Sequence, residues 1–279
     1  MKTNVHIREE RKSDIFHQQE IARQISSKWT GRNVVFLEET GSTNVEAKKL
    51  ADQGAVHGTL VVADSQNGGK GRRGRSWHSP KGSAIAMSLI LKPHMEAEKT
   101  SMLTLVQAVA VAKALEELGQ GKTQIKWPND ILMNEKKVCG ILTEMHLDKT
   151  EISSIIMGCG INVNQECFPK EIAQIATSLK MELGQEQNRA KLIGRICELF
   201  EEYFEKFLDT KDLSFMVEEY NSFLISKGRQ VKVLDPKGEF MGEALGINAC
   251  GELLVKRVDG ETVKVYAGEV SVRGIYGYV

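Results

Sequence analysis

Gln66-Asn67-Gly68-Gly69-Lys70-Gly71-Arg72-Arg73-Gly74-Arg75-Ser76-Trp77 is the stretch on which the reading of this chain turns. It holds four glycines, four cations and no acid. Over the whole chain Lys plus Arg equals Asp plus Glu, 37 of each, so this positive charge is local. Glycine lets backbone N–H groups come close to a ligand. Successive N–H groups beside cations form a concave anion site. The stretch therefore reads as a loop that grips a phosphate chain or a carboxylate. At this level a solvated basic loop, or one that touches nucleic acid, is an equal alternative.

Two phosphate motifs nearly fit. Gly69-x-Gly71-x-x-Gly74 matches a dinucleotide fingerprint, and Gly69-x-x-x-x-Gly74-Arg75-Ser76 is a P-loop with arginine in place of lysine. Both motifs must follow a strand and open a helix, whose N-terminus holds the phosphates. Thr59–Ala63 supplies a strand, but Pro80 and Gly82 follow the loop and Ser83–Leu91 reads as another strand. Both motifs are rejected, and the anion-loop chemistry is kept.

At 279 residues, about two domains are expected. Zero formal net charge argues against a dedicated nucleic-acid binder. The five cysteines, Cys139, Cys159, Cys167, Cys197 and Cys250, form no C-x-x-C pair, so reduced buried thiols are expected. The six histidines lack metal-ligand spacing. A polar N-terminus and the lack of a long apolar run point to a soluble cytoplasmic protein.

Along the chain, Ser13–Trp29 is expected to be a packing helix with Ile15, Ala22, Ile25 and Trp29 on one face. Val34–Leu37 is a short strand. Gly41-Ser42-Thr43-Asn44 then leads into a helix ending near Gly54, with Thr43 and Glu46 at capping-box spacing. Local sequence favours a cap here over a contact with a ligand's polar head. After strand Ser83–Leu91, Thr100–Leu118 is a core helix. Ile125-Lys126-Trp127-Pro128-Asn129-Asp130 is a strand and turn. Asn129 and Asp130 there can also orient ribose, phosphate or a metal, Asp130 being the one acid able to place Mg²⁺.

Asn134-Glu135-Lys136-Lys137 signals a hairpin, and Lys137 runs into Val138-Cys139-Gly140-Ile141-Leu142. Lysine at the edge of a buried strand can set a point charge in a pocket, although a solvent lysine is commoner. Ile152–Met157 is a strand ending in Gly158-Cys159-Gly160-Ile161-Asn162. Asn162 reads as a base contact or a turn cap, and Cys159 as a packed thiol without a histidine to activate it. Pro169 is expected to open a helix. Helices Asn188–Leu208 and Leu213–Leu224 follow. From Gly228 the pattern changes to strands Val231–Leu234, Phe240–Ile247, Leu253–Arg257, Thr262–Tyr266 and Val270–Val272, a small barrel.

Six segments together resemble the biotin protein ligases. They are Gly41–Asn44, Gln66–Trp77, Lys126–Asp130, Lys137–Leu142, Gly158–Asn162 and the closing Gly268-Glu269-Val270-Ser271-Val272-Arg273, in the family's order. The resemblance implies an α+β fold. A mixed, largely antiparallel sheet backed by helices, as in class II synthetases, would fill residues 1–226. An SH3-like barrel would fill 227–279. It implies that biotin and Mg-ATP give biotinyl-5′-AMP and pyrophosphate. Biotin would then pass to a lysine of a biotin carboxyl carrier protein, the acetyl-CoA carboxylase subunit, or of another biotin-dependent carboxylase. The family often forms homodimers. No membrane or DNA partner is expected.

Carried over residue by residue, Ser42, Thr43 and Asn44 would bind biotin's ureido end, with Gln66 nearby. Lys70, Gly71 and Arg72 would hold the biotin carboxylate and the adenylate phosphate. Lys137 would contact the carboxyl oxygen being activated, and with Arg72 would be catalytic. Arg73, Arg75, Trp77, Asn129, Asp130 and Asn162 would serve the nucleotide, Trp77 by packing against adenine. Gly140, beside biotin, and Gly160, beside the nucleotide, would leave room. Cations at Lys70, Arg72, Arg73, Arg75 and Lys137 suit a reaction that brings two anions together.

The chain departs from the family pattern at Lys70, where many members carry arginine and its bidentate fork. Some members also carry an N-terminal winged helix and repress transcription. About forty residues precede Gly41 here, so a repressor role is not expected. A lipoate ligase is the nearest rival, but that family's Arg-Arg-x-x-Gly-Gly-Gly motif is missing. A nucleic-acid module built on Arg72-Arg73-Gly74-Arg75 and the barrel is a second, and it would show salt-sensitive binding.

Overall fold

Every residue of Ala84–Leu91 is buried, because this strand lies inside a sheet covered on both faces. The computed structural model describes residues 14–119, 121–235, 238–267 and 271–274. The expected helix start at Ser13, the Pro236-Lys237 turn and Gly268-Glu269-Val270 lie outside the described residues.

The elements in order are α1 (Gln18–Gln24), β1 (Val34–Thr40), α2 (Thr43–Asp52), β2 (Leu60–Lys70), β3 (Ser76–Ser79), β4 (Ala84–Leu91), α3 (Thr100–Glu116), β5 (Thr123–Lys126) and β6 (Asp130–Met133). Then come β7 (Lys136–Asp148), β8 (Glu151–Asn162), α4 (Leu179–Leu183), α5 (Arg189–Thr210) and α6 (Val217–Phe223). Strands β9 (Gln230–Leu234), β10 (Phe240–Ile247), β11 (Leu253–Lys256), β12 (Thr262–Val265) and β13 (Ser271–Gly274) complete the chain. The large sheet has the order β1-β2-β4-β8-β7-β6-β5, with β3 also paired to β2. Only β1 and β2 run parallel. The second sheet is antiparallel, order β12-β11-β10-β9-β13, the expected SH3-like unit. No helix among the described residues is long and apolar enough to cross a membrane.

Strand alternation assigns the two faces. Leu89, Leu91, Ile155 and Met157 point into the main core with α3 and α5. Val61, Ile90 and Ile156 point the other way, under Ala47 and Ala51 of α2. Phe200, Phe204 and Phe207 of α5 are almost fully buried, each worth roughly 1.5–3 kcal/mol of transfer free energy. Further along β4, β8 and β7, the α2 side of the sheet carries Ser88, Gly158, Gly160 and Gly140. Small residues there lower the floor beyond the end of α2, and a cavity opens over them.

Several expected elements differ. The first helix covers Gln18–Gln24 only, with His17 accepting from Glu20 N at its N-cap. Ile21 and Ile25 are buried, whereas Ile15 and Ala22 are exposed. The cause is non-local. The carboxylate of Glu201 on α5 accepts from Lys28, Trp29 and Thr30 N–H at 2.7, 2.8 and 2.9 Å, taking those amides out of any helix. No helix opens at Pro169; residues 170–175 form turns, and the chain pairs with β7 instead. The Leu213–Leu224 helix is split into a 3₁₀ turn, Ser214–Met216, and α6. The capping box does not form either. Ser42 occupies the N-cap without a side-chain bond, and Glu46 pairs with Lys49. Cys139, Cys159 and Cys197 are buried as expected, but Cys167 and Cys250 are exposed.

Candidate active site

The cavity measures about 840 Å³, inside the usual range for small-molecule sites. All sixteen residues singled out from the sequence line it: Ser42, Thr43, Asn44, Gln66, Lys70, Gly71, Arg72, Arg73, Arg75, Trp77, Asn129, Asp130, Lys137, Gly140, Gly160 and Asn162. Seven cationic side chains border it, the five foreseen plus Lys126 and Arg273. Asp130 is the only acid among the described lining residues.

One end is polar and neutral. Gln66 reaches across from β2, and its Oε1 accepts from Thr43 N at 2.8 Å, so it caps α2. Ser88 Oγ lies 2.8 Å from Thr43 Oγ1 and 2.6 Å from Asn44 Oδ1. Asn44 Nδ2 donates to Glu144 Oε2 at 2.6 Å. A Cβ on Gly69 would fall 2.2 Å from Gln66 Nε2, so glycine there gives Gln66 its place. This end offers neutral donors and acceptors oriented by one another and by Glu144, which does not line the cavity.

The basic loop is built mostly of regular structure. Gln66–Lys70 is strand in β2, Arg72–Gly74 is a 3₁₀ turn, and Ser76 and Trp77 open β3. In that turn Arg73 adopts φ 60° and Gly74 φ 71°. Arg72 donates to Asn129 Oδ1 at 3.0 Å and to the carbonyl of Ala267, just after β12 of the second sheet, at 2.6 Å. Burial lowers its pKa, opposed by nearby Asp130 and helped by Arg73 and Arg75.

Lys137 Nζ lies 2.8 Å from Asp130 Oδ1, which also accepts from Asn129 Nδ2 at 3.0 Å. The Trp77 ring is 5.5 Å from Lys137 Nζ. The space over Gly160 and Gly140 is filled by that indole: a Cβ would come 2.3 Å from Trp77 Nε1 at Gly160 and 3.3 Å from its Cζ3 at Gly140. The glycines therefore make room for Trp77, which in turn walls the cavity. Trp77 Nε1 is buried with no hydrogen-bond partner among the described residues.

Asn162 lines the cavity with both amide ends engaged. Nδ2 donates to Thr177 O at 3.1 Å, and Oδ1 accepts from Gln165 Nε2 at 3.1 Å. Cys159 is a packed thiol whose Sγ lies 3.6 Å from Cys139 Sγ. Among the described residues no three His, Cys, Asp or Glu side chains are grouped to hold a metal ion.

Sequence reasoning missed three parts of this site. Lys126 sits inside a quoted motif and faces Asp130 across the β5–β6 pairing. Burial first, then Lys137, Arg75 and Arg273, bring its pKa down to about 8 against the pull of Asp130. Arg273, the last residue of the closing motif, borders the cavity without any local signal of that place. The apolar wall of Phe168, Pro169, Ile172 and Ile175 carried no signal beyond its proline.

Residues 36–162 match the model of the biotin/lipoate A/B protein ligase family, and 228–273 that of the biotin protein ligase C-terminal domain. The chain is 40% identical over 253 residues to the bifunctional ligase/repressor BirA of Bacillus subtilis, covering 90% of this chain and 77% of that one. It is 30% identical over 246 residues to the biotin–[acetyl-CoA-carboxylase] ligase of Mycobacterium tuberculosis, covering 86% and 88%. The biotin protein ligase of Aquifex aeolicus, solved in complex with biotin and ATP, superposes with a TM-score of 0.76 at 32% identity, covering 87% of this chain and 99% of that one. The chain belongs to the biotin protein ligase family.

Proposed function

We infer that this protein activates biotin with ATP to biotinyl-5′-AMP and pyrophosphate, then transfers the biotinyl group to a lysine amine of a biotin carboxyl carrier protein. The observation that carries this reading is one cavity with a neutral, pre-oriented polar end and a strongly cationic end. A ureido ring suits the first, around Ser42, Thr43, Asn44 and Gln66. A carboxylate beside a triphosphate suits the second.

In the first step a biotin carboxylate oxygen attacks the α-phosphorus and pyrophosphate leaves. The two reactants are anions, and charge builds on the phosphoryl oxygens. Lys70, Arg72 and Lys137 would offset it, Arg72 and Lys137 from positions held before the ligands arrive, which is where electrostatic catalysis gains most. Arg73, Arg75, Trp77, Asn129 and Asn162 would line the nucleotide side, Asn162 as part of the wall. In the second step the acceptor amine attacks the acyl carbon, the amine loses a proton and AMP departs. Seating the mixed anhydride under the basic loop would keep water from it.

Mg²⁺ usually takes one or two protein carboxylates and completes its shell with phosphate and water oxygens. Asp130 alone beside a triphosphate fits that donor set. The ion, when bound, would draw charge from the phosphates. Residues 1–226 would carry the reaction and 227–279 would form a second domain, a division supported by the start of the second sheet at Gln230.

The test is pyrophosphate release by the purified protein with ATP and either biotin or lipoate, followed by labelling of a carrier domain. Release with biotin and an amide on the carrier lysine are expected. Release with lipoate alone would overturn the reading.

A further inference from the structure

Lys137 faces Leu132 of β6 on one side, and on the other it lies past the end of β8. Strand β8 ends at Asn162, and its pairing with β7 stops at Cys139 opposite Ile161. Beside Lys137 the place of β8 is taken by a short strap, residues 175–177. Lys137 N donates to Ile175 O at 2.8 Å, and Thr177 N donates to Lys137 O at 2.9 Å, a single parallel bridge. One bridge of this kind is weak unless the strap is itself held. It is held from α4: Thr177 Oγ1 donates to Glu182 Oε1 at 2.5 Å. The other carboxylate oxygen, Oε2, accepts from Asn134 Nδ2 at 2.6 Å. Asn134, at φ 49°, begins the turn that delivers Lys136 and Lys137 into β7. One carboxylate thus grips both the strap beside Lys137 and the turn before it. Neither Glu182 nor Thr177 lines the cavity.

We propose that Glu182 is a positioning residue for the reaction, setting the place of the Lys137 ammonium by clamping Thr177 to the Asn134 turn. The proposal rests on the adenylation reading for its kinetic consequence but not for its geometric one. A displacement of the order of 1 Å at a catalytic cation costs as much as ~100-fold in rate. Glu182→Ala should lower kcat for biotin-dependent pyrophosphate release at least ~10-fold with KM for biotin and ATP nearly unchanged. Glu182→Gln keeps an acceptor for Thr177 and should fall between. In a Lys137→Ala background, Glu182→Ala should cost nothing more, since its effect passes through the missing amine.

The second measurement needs no activity. Brief acylation of the ligand-free protein, read by peptide mass spectrometry, should show Lys137 reacting at a changed rate relative to Lys136 in Glu182→Ala. Labelling at the wild-type ratio overturns the proposal, as does a kcat loss that adds to that of Lys137→Ala. A wild-type protein inactive on biotin with altered Lys137 labelling in the variant would instead sink the function and leave the clamp standing.

Discussion

Lys137 Nζ and Asp130 Oδ1 form an ion pair 2.8 Å long, and both side chains are largely withdrawn from solvent. The pair fixes an ammonium at the cavity edge before any substrate anion arrives. Lys137→Ala should lower adenylate formation by about 10²-fold or more, the scale of losing one pre-oriented charge at a reacting centre. Arg72 and Lys126 still face Asp130 in the variant, so its charge is not left uncompensated and the protein should stay folded. Pyrophosphate release and a thermal melt together check this; unchanged release would remove Lys137 from the reaction.

Gly160 and Trp77 give a steric prediction. A methyl at position 160 would sit 2.3 Å from the indole nitrogen, so the ring must move. Forced repacking of this kind costs about 1–3 kcal/mol. Gly160→Ala should weaken nucleotide binding roughly 10-fold, with a change in tryptophan emission, while Gly140→Ala, with its 3.3 Å contact, should do less. Equal ATP affinity in Gly160→Ala and wild type would separate Trp77 from the nucleotide.

Lys126 predicts a proton count. Its folded pKa of about 8 lies below the ordinary lysine value, because burial and three neighbouring cations oppose its charge. Below about pH 8 both folded and unfolded states carry the proton and the burial penalty is felt in full. As pH rises from about 8 towards 10.5, the folded lysine sheds its proton first and the penalty is relieved. An anion entering the cavity reverses the shift. ATP binding at pH 8 should therefore take up part of a proton, seen as a buffer-dependent heat in calorimetry. Lys126→Met should abolish the uptake.

His57 sets an acid limb on stability. Its Nδ1 accepts from Lys92 N–H at 2.9 Å, and its ring lies 4.5 Å from that of Trp29. Burial lowers its pKa below the ordinary 6.5. The neutral ring's contribution is present above pH 6.5 and is lost as pH falls through the folded value, since the unfolded chain takes the proton first. Melting temperature should drop between pH 7 and pH 5 by more in the wild type than in His57→Gln. Parallel curves would exclude His57 as the cause.

Local pattern carried most of the framework. The unbroken apolar run of Ala84–Leu91 and the phenylalanine spacing of α5 specify their elements unaided. The glycine- and cation-rich loop stood out because its composition differs from that of a neutral chain, and its residues do line the cavity. What the sequence concealed depends on distant partners. Glu201 unwinds residues 28–30 from 171 to 173 positions away. Gln66, not a local hydroxyl, caps α2. Glycines 140 and 160 are small for the sake of an indole from another strand. Lys126 looked like any strand-end lysine until the fold surrounded it with charge.

The bond from Arg72 to the carbonyl of Ala267 spans 195 residues. The tail of the polypeptide is thereby a fastening for its middle. Trimming the protein short of residue 267 would untie the cationic loop at one of its moorings, even with every pocket residue of the large sheet still in place.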